Sequence, residues 1–163
     1  MDERLILRKF GNRYIADETT YKMGIDMRLA RHLAARFKGR TVLETCTGGG
    51  FAAIPISKYA EHIYTFEIDG ERVEAARENA VLSRADRKIT FIHHDVTAYE
   101  LASLPGKIDA AFIDPDWADE GTEHPYRFIG SATRPPSDKL LERVFAVTQN
   151  VTLVQPPLID PAE

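Results

Sequence analysis

The stretch Val42-Leu43-Glu44-Thr45-Cys46-Thr47-Gly48-Gly49-Gly50, VLETCTGGG, decides how the rest of the chain is read. Thr41, Val42 and Leu43 have the apolar, β-branched character of a buried strand, and Glu44 ends it. Three glycines then turn the backbone into Phe51-Ala52-Ala53-Ile54, an apolar helix start. A Cβ in such a turn would block left-handed backbone conformations and the close approach of a ligand to the main chain. A nucleotide-like molecule is the expected occupant.

Downstream, strands and helices alternate. The helix after the turn runs to about Ala60 and tolerates Pro55 only in its first turn, where amides lack intrahelical partners. His62 to Glu67 reads as a second strand, Asp69 as the cap of a helix from Glu71 to about Ser83, and Ile89 to His93 as a third strand. A short helical piece near Tyr99 to Leu104 leads to a fourth strand, Asp109 to Ile113. A long polar loop covers Asp114 to Pro136, Ser137 caps a last helix to about Thr148, and Val151 to Val154 is a fifth strand. This order predicts an α/β fold, a Rossmann-like doubly wound parallel sheet with helices on both faces.

Upstream, Gly11-Asn12 separates two short apolar-bearing runs, Arg4 to Phe10 and Arg13 to Ala16, which predicts an N-terminal β-hairpin. Leu29, Ala30, Leu33, Ala34 and Phe37 recur at helical spacing within a helix from about Met23 to Phe37, with Gly39 as its stop. The 163 residues suit one domain, with residues 1–38 as hairpin and helix and 39–163 as a cofactor-binding core.

Hydrophobic content of 44% and charged content of 28% are those of a globular protein, with no apolar run near the eighteen or so residues of a membrane span. Without a signal-peptide pattern at Met1 to Arg4, a cytoplasmic protein off the membrane is expected. The net charge of −4 confines any nucleic-acid contact to a local patch, for which Arg4, Arg8, Lys9 and Arg13 are candidates beside the alternative of a solvated face. A single cysteine, Cys46, rules out an internal disulfide; it reads as a small packed residue or a thiol near the cofactor. Adjacent His93 and His94 point to opposite faces of a strand, and His124 with Asp119, Glu120 and Glu123 reads as solvated loop charge, so no metal site is expected.

In a parallel sheet a cofactor lies across the carboxyl ends of the strands. Acidic residues stand at four such ends: Glu44, then Glu67 and Asp69, then Asp95, then Asp114. Gly48 to Ala53 satisfies the dinucleotide pattern G-x-G-x-x-A, with Glu67 near the spacing at which a carboxylate holds ribose hydroxyls. Glu44, Gly48 and Gly50 equally satisfy E/D-x-x-x-G-x-G, which resembles the first motif of class I S-adenosylmethionine-dependent methyltransferases. An NAD-dependent oxidoreductase has no need of Glu44.

Within the methyltransferases, ETCTGGG at Glu44 to Gly50, TFEIDGERVEAARENA at Thr65 to Ala80, ITFIHHDV at Ile89 to Val96 and AAFIDPDW at Ala110 to Trp117 most resemble the RNA cap guanine-N2 methyltransferase (trimethylguanosine synthase) family. The resemblance implies S-adenosylmethionine held by Glu44, Thr45, Cys46, Thr47, Gly48, Gly50, Phe51, Glu67, Ile68, His94, Asp95 and Asp114. Glu67 would take the ribose hydroxyls and Asp95 would lie near the adenine amine. Asp114, Pro115, Asp116 and Trp117 would face the methyl acceptor, an exocyclic amine of a guanine or similar base in RNA.

The sulfonium already activates the methyl group, so a transferase needs chiefly to place an amine and accept its hydrogen bonds. A carboxylate, a proline-held carbonyl and a flat indole suit that task, although Trp117 also reads as a core anchor. Families that methylate exocyclic amines usually carry a second proline where Asp116 stands, and their sheet continues for two more strands. The fifth strand is then an open edge, to be covered by the hairpin, a second copy or a partner subunit. The alternatives are a cofactor-binding module that needs a partner for catalysis and, behind it, an NAD-dependent oxidoreductase.

Overall fold

The computed structural model describes residues 1–117, 133–156 and 158–159 of the chain. Strands β1 (Thr41–Glu44), β2 (His62–Glu67), β3 (Ile89–His93), β4 (Ala110–Ile113) and β5 (Val151–Leu153) form one parallel sheet in the order β3-β2-β1-β4-β5. The order reverses at β1, which pairs β2 on one side and β4 on the other, with Glu44 beside Thr65 and Phe112. That reversal opens a crevice at the carboxyl ends of the strands.

Strand alternation divides the core in two. Val42, Ile63, Ala110 and Phe112 face one cluster, whereas Leu43, Phe66, Ala111 and Ile113 face the other. Full burial of each such Leu, Ile or Phe side chain contributes about 1.5–3 kcal/mol, so both faces must be covered. Helix α5 (Gly70–Leu82) contributes Val73, Ala76 and Ala80, all buried as their spacing predicts, and Asp69 caps it by accepting from the Glu71 and Arg72 amides. Helix α4 (Ala53–Ser57) is shorter than expected but keeps Pro55 within its first turn. The piece after β3 is a single 3-10 turn, Leu101–Ser103.

The N-terminal hairpin is not present: Glu3–Phe10 is helix α1. Gly11 has φ 73°, which fits a helix C-cap as well as a hairpin turn. What decides is Asp2, which accepts from the Arg4 amide as N-cap, and the one-turn spacing of buried Ile6 and Phe10. The next helix is also divided. Helix α2 (Glu18–Met23) begins at an Asp17–Thr20 capping box and stops before Gly24, and α3 (Met27–Ala34) restarts behind Asp26, whose carboxylate accepts from the Arg28 amide. A 3-10 turn, Ala35–Phe37, ends it. Leu29 is exposed rather than inward.

Phe10 explains the break. Its ring stacks on Phe51, centroids 3.8 Å apart and planes 8° apart, and both rings press on Gly24, where a Cβ would lie 2.4 Å from Phe51. Lys9 fastens α1 to α2: its ammonium donates to the Tyr21 and Lys22 carbonyls and lies 4.9 Å from the Tyr21 ring centre. The N-terminal helices thus join the core beside α4 and the glycine turn rather than forming a ribbon for the β5 edge.

Helix α6 (Ser137–Val144) also differs in its cap. Ser137 is its first residue and its hydroxyl points inward to Thr133, whose Oγ1 accepts from the Ser137 amide at 2.9 Å. Thr133 therefore does the work expected of Ser137. Most of the long loop, including Asp119, Glu120, Glu123 and His124, lies outside the described residues.

Candidate active site

The turn after β1 is pinned between its neighbours. Thr45 donates its amide to Phe112 at the end of β4, and Thr47 donates to Phe66 at the end of β2. Gly48 (φ 52°) and Gly50 (φ 80°) then carry the chain through the left-handed region. A Cβ at Gly48 would meet nothing within 4 Å, so the main chain there opens onto free space.

Glu44 is buried, 1% exposed, at the foot of this turn. Its Oε2 accepts from the Thr65 hydroxyl, which is bonded in turn to the Thr47 hydroxyl. Its Oε1 has no hydrogen-bond partner among the described residues, and neither has Thr45 Oγ1. Burial pushes the Glu44 carboxyl up to about 8, against the Thr65 bond and with help from the charge of Asp114.

Glu67, at the end of β2, is in the opposite condition. Its Oε2 accepts from the Gly48 amide at 2.8 Å, and its Oε1 from the amides of Ile68 at 3.0 Å and Asp69 at 3.1 Å. One carboxylate therefore holds both the glycine turn and the entry to α5. Asp95 accepts from the Thr97 amide and hydroxyl at 2.8 and 2.7 Å. His94 donates Nδ1–H to the Asp95 carbonyl at 2.9 Å, and its ring meets Tyr99 edge-on.

Asp114 leaves β4 with no hydrogen-bonded partner to its carboxylate among the described residues. Burial, with the neighbouring charge of Asp116, pushes it up to about 7. Asp116 and Arg134 exchange main-chain hydrogen bonds at 2.9 and 2.8 Å, which ties the Asp114–Trp117 arm to Arg134-Pro135-Pro136.

These groups converge on one cleft of about 670 Å³. Of the residues expected there, Thr45, Cys46, Thr47, Gly48, Phe51, Glu67, Ile68, His94, Asp95, Asp114, Pro115, Asp116 and Trp117 line it. Glu44 and Gly50 lie behind the lining: the first supports the turn through Thr65, and the second packs against Ile54 and Ala76. Cys46 is partly buried against the second cluster, and burial pushes its thiol up, which keeps it protonated. His93 bonds to the Ile68 carbonyl at 3.0 Å, and no group of His, Cys, Asp and Glu among the described residues is arranged to hold a metal.

Two contributions escape the sequence reading. Thr20, Lys22, Met23, Gly24 and Ile25 form one wall of the cleft, from the joint between α2 and α3. Asn79, fully buried on α5, donates to the carbonyls of Gly49 and Ile15, both at 3.0 Å, and accepts from the Ile15 amide at 2.7 Å. It staples the N-terminal segment to the glycine turn. Tyr14, bonded to Ser83 at 2.6 Å, extends the seam.

Residues 5–157 match the ribosomal RNA adenine dimethylase family. A tRNA1(Val) (adenine(37)-N6)-methyltransferase of Proteus mirabilis is 31% identical over 104 residues, 62% of this chain and 41% of that protein. A ribosomal protein L11 methyltransferase of Carboxydothermus hydrogenoformans is 41% identical over 59 residues, 36% of this chain and 19% of its own length. The chain spans less than half the length of these curated relatives. In fold, it resembles a Porphyromonas gingivalis structure assigned as a methyltransferase, with TM-score 0.73 and 17% identity over 90% of this chain and 35% of that one.

Proposed function

The chain belongs to the ribosomal RNA adenine dimethylase family, within the class I S-adenosylmethionine-dependent methyltransferases, and from that premise we propose that it methylates an exocyclic amine of a purine in RNA, with adenine N6 as the first candidate. Its cofactor is S-adenosylmethionine, which supplies an electrophilic methyl group on a sulfonium. The cleft fits that molecule. The Gly48 main chain is open to approach, Thr45 of the lining has a buried Oγ1 with no partner among the described residues, and carboxylates for hydroxyl and amine groups stand at Glu67 and Asp95.

The observation that carries the reading is the bare Asp114 carboxylate at the end of β4, in the same cleft as the glycine turn. As a carboxylate it accepts a hydrogen bond from the incoming amine and aligns its lone pair; the proton released after transfer has Asp114 or water as acceptor. The Pro115 carbonyl is the second acceptor, and Trp117 offers a face on which the base stacks. Adenine N6 is favoured by the family and by the Proteus relative. Guanine N2 is the second reading, supported by the Asp114–Trp117 sequence itself.

The test is methyl transfer from labelled S-adenosylmethionine to ribosomal and transfer RNA, followed by nucleoside mass spectrometry. N6-methylated adenosine supports the first reading and N2-methylated guanosine the second. Transfer undiminished by Asp114→Ala with Trp117→Ala removes the roles given to both residues. No transfer to either RNA, in a protein that binds S-adenosylmethionine, refutes the activity for this chain alone.

A further inference from the structure

Charge is divided unevenly along this chain. Residues 1–40 carry ten Lys and Arg against five Asp and Glu, whereas residues 41–163 carry eleven against twenty. Helices α1 and α3, which carry much of that basic part, adjoin: they contribute Ile6, Phe10, Ala30 and Ala34 to the same core cluster and meet where Gly11 lies against Met27. Their outer faces are left to solvent. Arg4 and Arg8 stand one turn apart on α1, Arg13 follows its cap, and Arg31 and Arg36 lie along α3 and its 3-10 extension. All five are exposed, and none forms an ion pair among the described residues.

Elsewhere Arg72 is answered by Asp69, Arg77 by Glu74, Lys107 by Asp109 and Lys139 by Glu142, whereas Lys58, Arg84 and Arg87 form no ion pair among the described residues and stand on separate elements. Lys9, the remaining cation of α1, is half-buried and spent on the α2 carbonyls, which fixes the tilt of the helix that carries Arg4 and Arg8. Helix α2, which lies between α1 and α3 in the chain and is tied to α1 by Lys9, forms a cleft wall through Thr20, Lys22 and Met23.

We propose that the outer face of α1 and α3, through Arg4, Arg8, Arg13, Arg31 and Arg36, is the docking surface for the phosphate backbone of the RNA whose base enters the cleft. This rests on the proposed RNA substrate and adds where the polymer lies. Guanidinium groups without internal partners gain most from phosphates, and the acidic remainder of the molecule repels a polyanion from the wrong approach. Attraction and repulsion together set the orientation in which an RNA strand meets the cleft.

The experiment measures binding of a fluorescent RNA stem-loop to the full chain by anisotropy, across a range of salt, with no turnover required. The variant carries Arg4→Glu, Arg8→Glu, Arg31→Glu and Arg36→Glu together; the control carries Arg87→Glu and Lys107→Glu. The expected result is at least tenfold weaker RNA binding in the first, with the slope of log affinity on log salt reduced by about three. S-adenosylmethionine affinity, measured by calorimetry, stays within twofold in both and shows that the fold is kept. RNA binding by the four-residue variant at wild-type affinity and slope overturns the proposal, as does an equal loss in the control. Sedimentation with phosphatidylserine vesicles and no RNA binding overturns it in favour of a membrane. Because these readouts need no methyl transfer, an inactive protein that still loses RNA through these arginines refutes the activity and leaves the surface standing.

Discussion

Glu67 and Asp114 end the two strands that flank β1, and they are finished in opposite ways. Glu67 is 8% exposed and already accepts three main-chain amides, whereas Asp114 accepts none among the described residues and is held near neutral pH by burial. One half of the cleft is therefore built before any ligand arrives, and the other keeps an acceptor in reserve. The contrast separates holding from reacting: satisfied carboxylates fix geometry, while an unsatisfied one is available to an incoming donor.

The sharpest way to break this comparison is Asp114→Asn. It keeps the shape but replaces an acceptor with a donor-bearing amide, and kcat is expected to fall by about 10² or more, while the dissociation constant for S-adenosylmethionine changes less than twofold. In the wild type the rate should rise with pH through about 7, as the carboxylate forms, and that limb should vanish in the variant. An unaltered pH–rate profile would remove Asp114 from the reaction.

Glu67→Ala should do the reverse. It orphans the Gly48, Ile68 and Asp69 amides, so about 3 kcal/mol of stability and more than tenfold of S-adenosylmethionine affinity should go together, read by urea denaturation and calorimetry. Asn79→Ala leaves the buried Gly49 carbonyl and part-buried main-chain groups of Ile15 without their partner, and about 2 kcal/mol is the expected loss. Cofactor affinity should fall less than in Glu67→Ala, since the turn keeps its carboxylate.

A pH-dependent effect concerns Glu44. Its carboxyl is raised in the folded chain, so the fold binds the proton more tightly than the unfolded chain does. That stabilisation is full below the ordinary carboxyl range and is lost as pH rises through about 8. Melting temperature should decline over that interval in the wild type and decline less in Glu44→Gln. Equal declines would mean that Glu44 does not carry the titration.

The convergence of Glu67, Asp95 and Asp114 on one cleft was legible in the sequence because each falls where a short apolar run stops, and a parallel sheet brings such stops together. Gly48 and Gly50 were legible for a similar reason, as their torsions are local. Residues 1–40 were not. A left-handed Gly11 serves a hairpin and a helix end alike, and only the seating of Ile6 and Phe10 against distant residues chooses between them. The break at Gly24 depends on the stack of Phe10 on Phe51, which no local pattern announces. Asn79 sits between Glu78 and Ala80 like any polar helix residue; its three partners are visible only once the segment at Ile15 is laid across α5. The Asp114–Trp117 arm was legible as a motif, but its main-chain pairing with Arg134 crosses a long loop and was not.

The Asn79 staple also bears on how the chain is made. A nascent polypeptide leaves the ribosome from its N-terminus, so Ile15 and Gly49 emerge well before the residue that joins them. The glycine turn cannot lock when β1 is synthesised; it waits for α5, and the first helices stay without their anchor over the same interval. Arrest of translation shortly before and shortly after Asn79 clears the exit tunnel should separate a nascent chain whose N-terminal segment is open to protease from one in which it is shut.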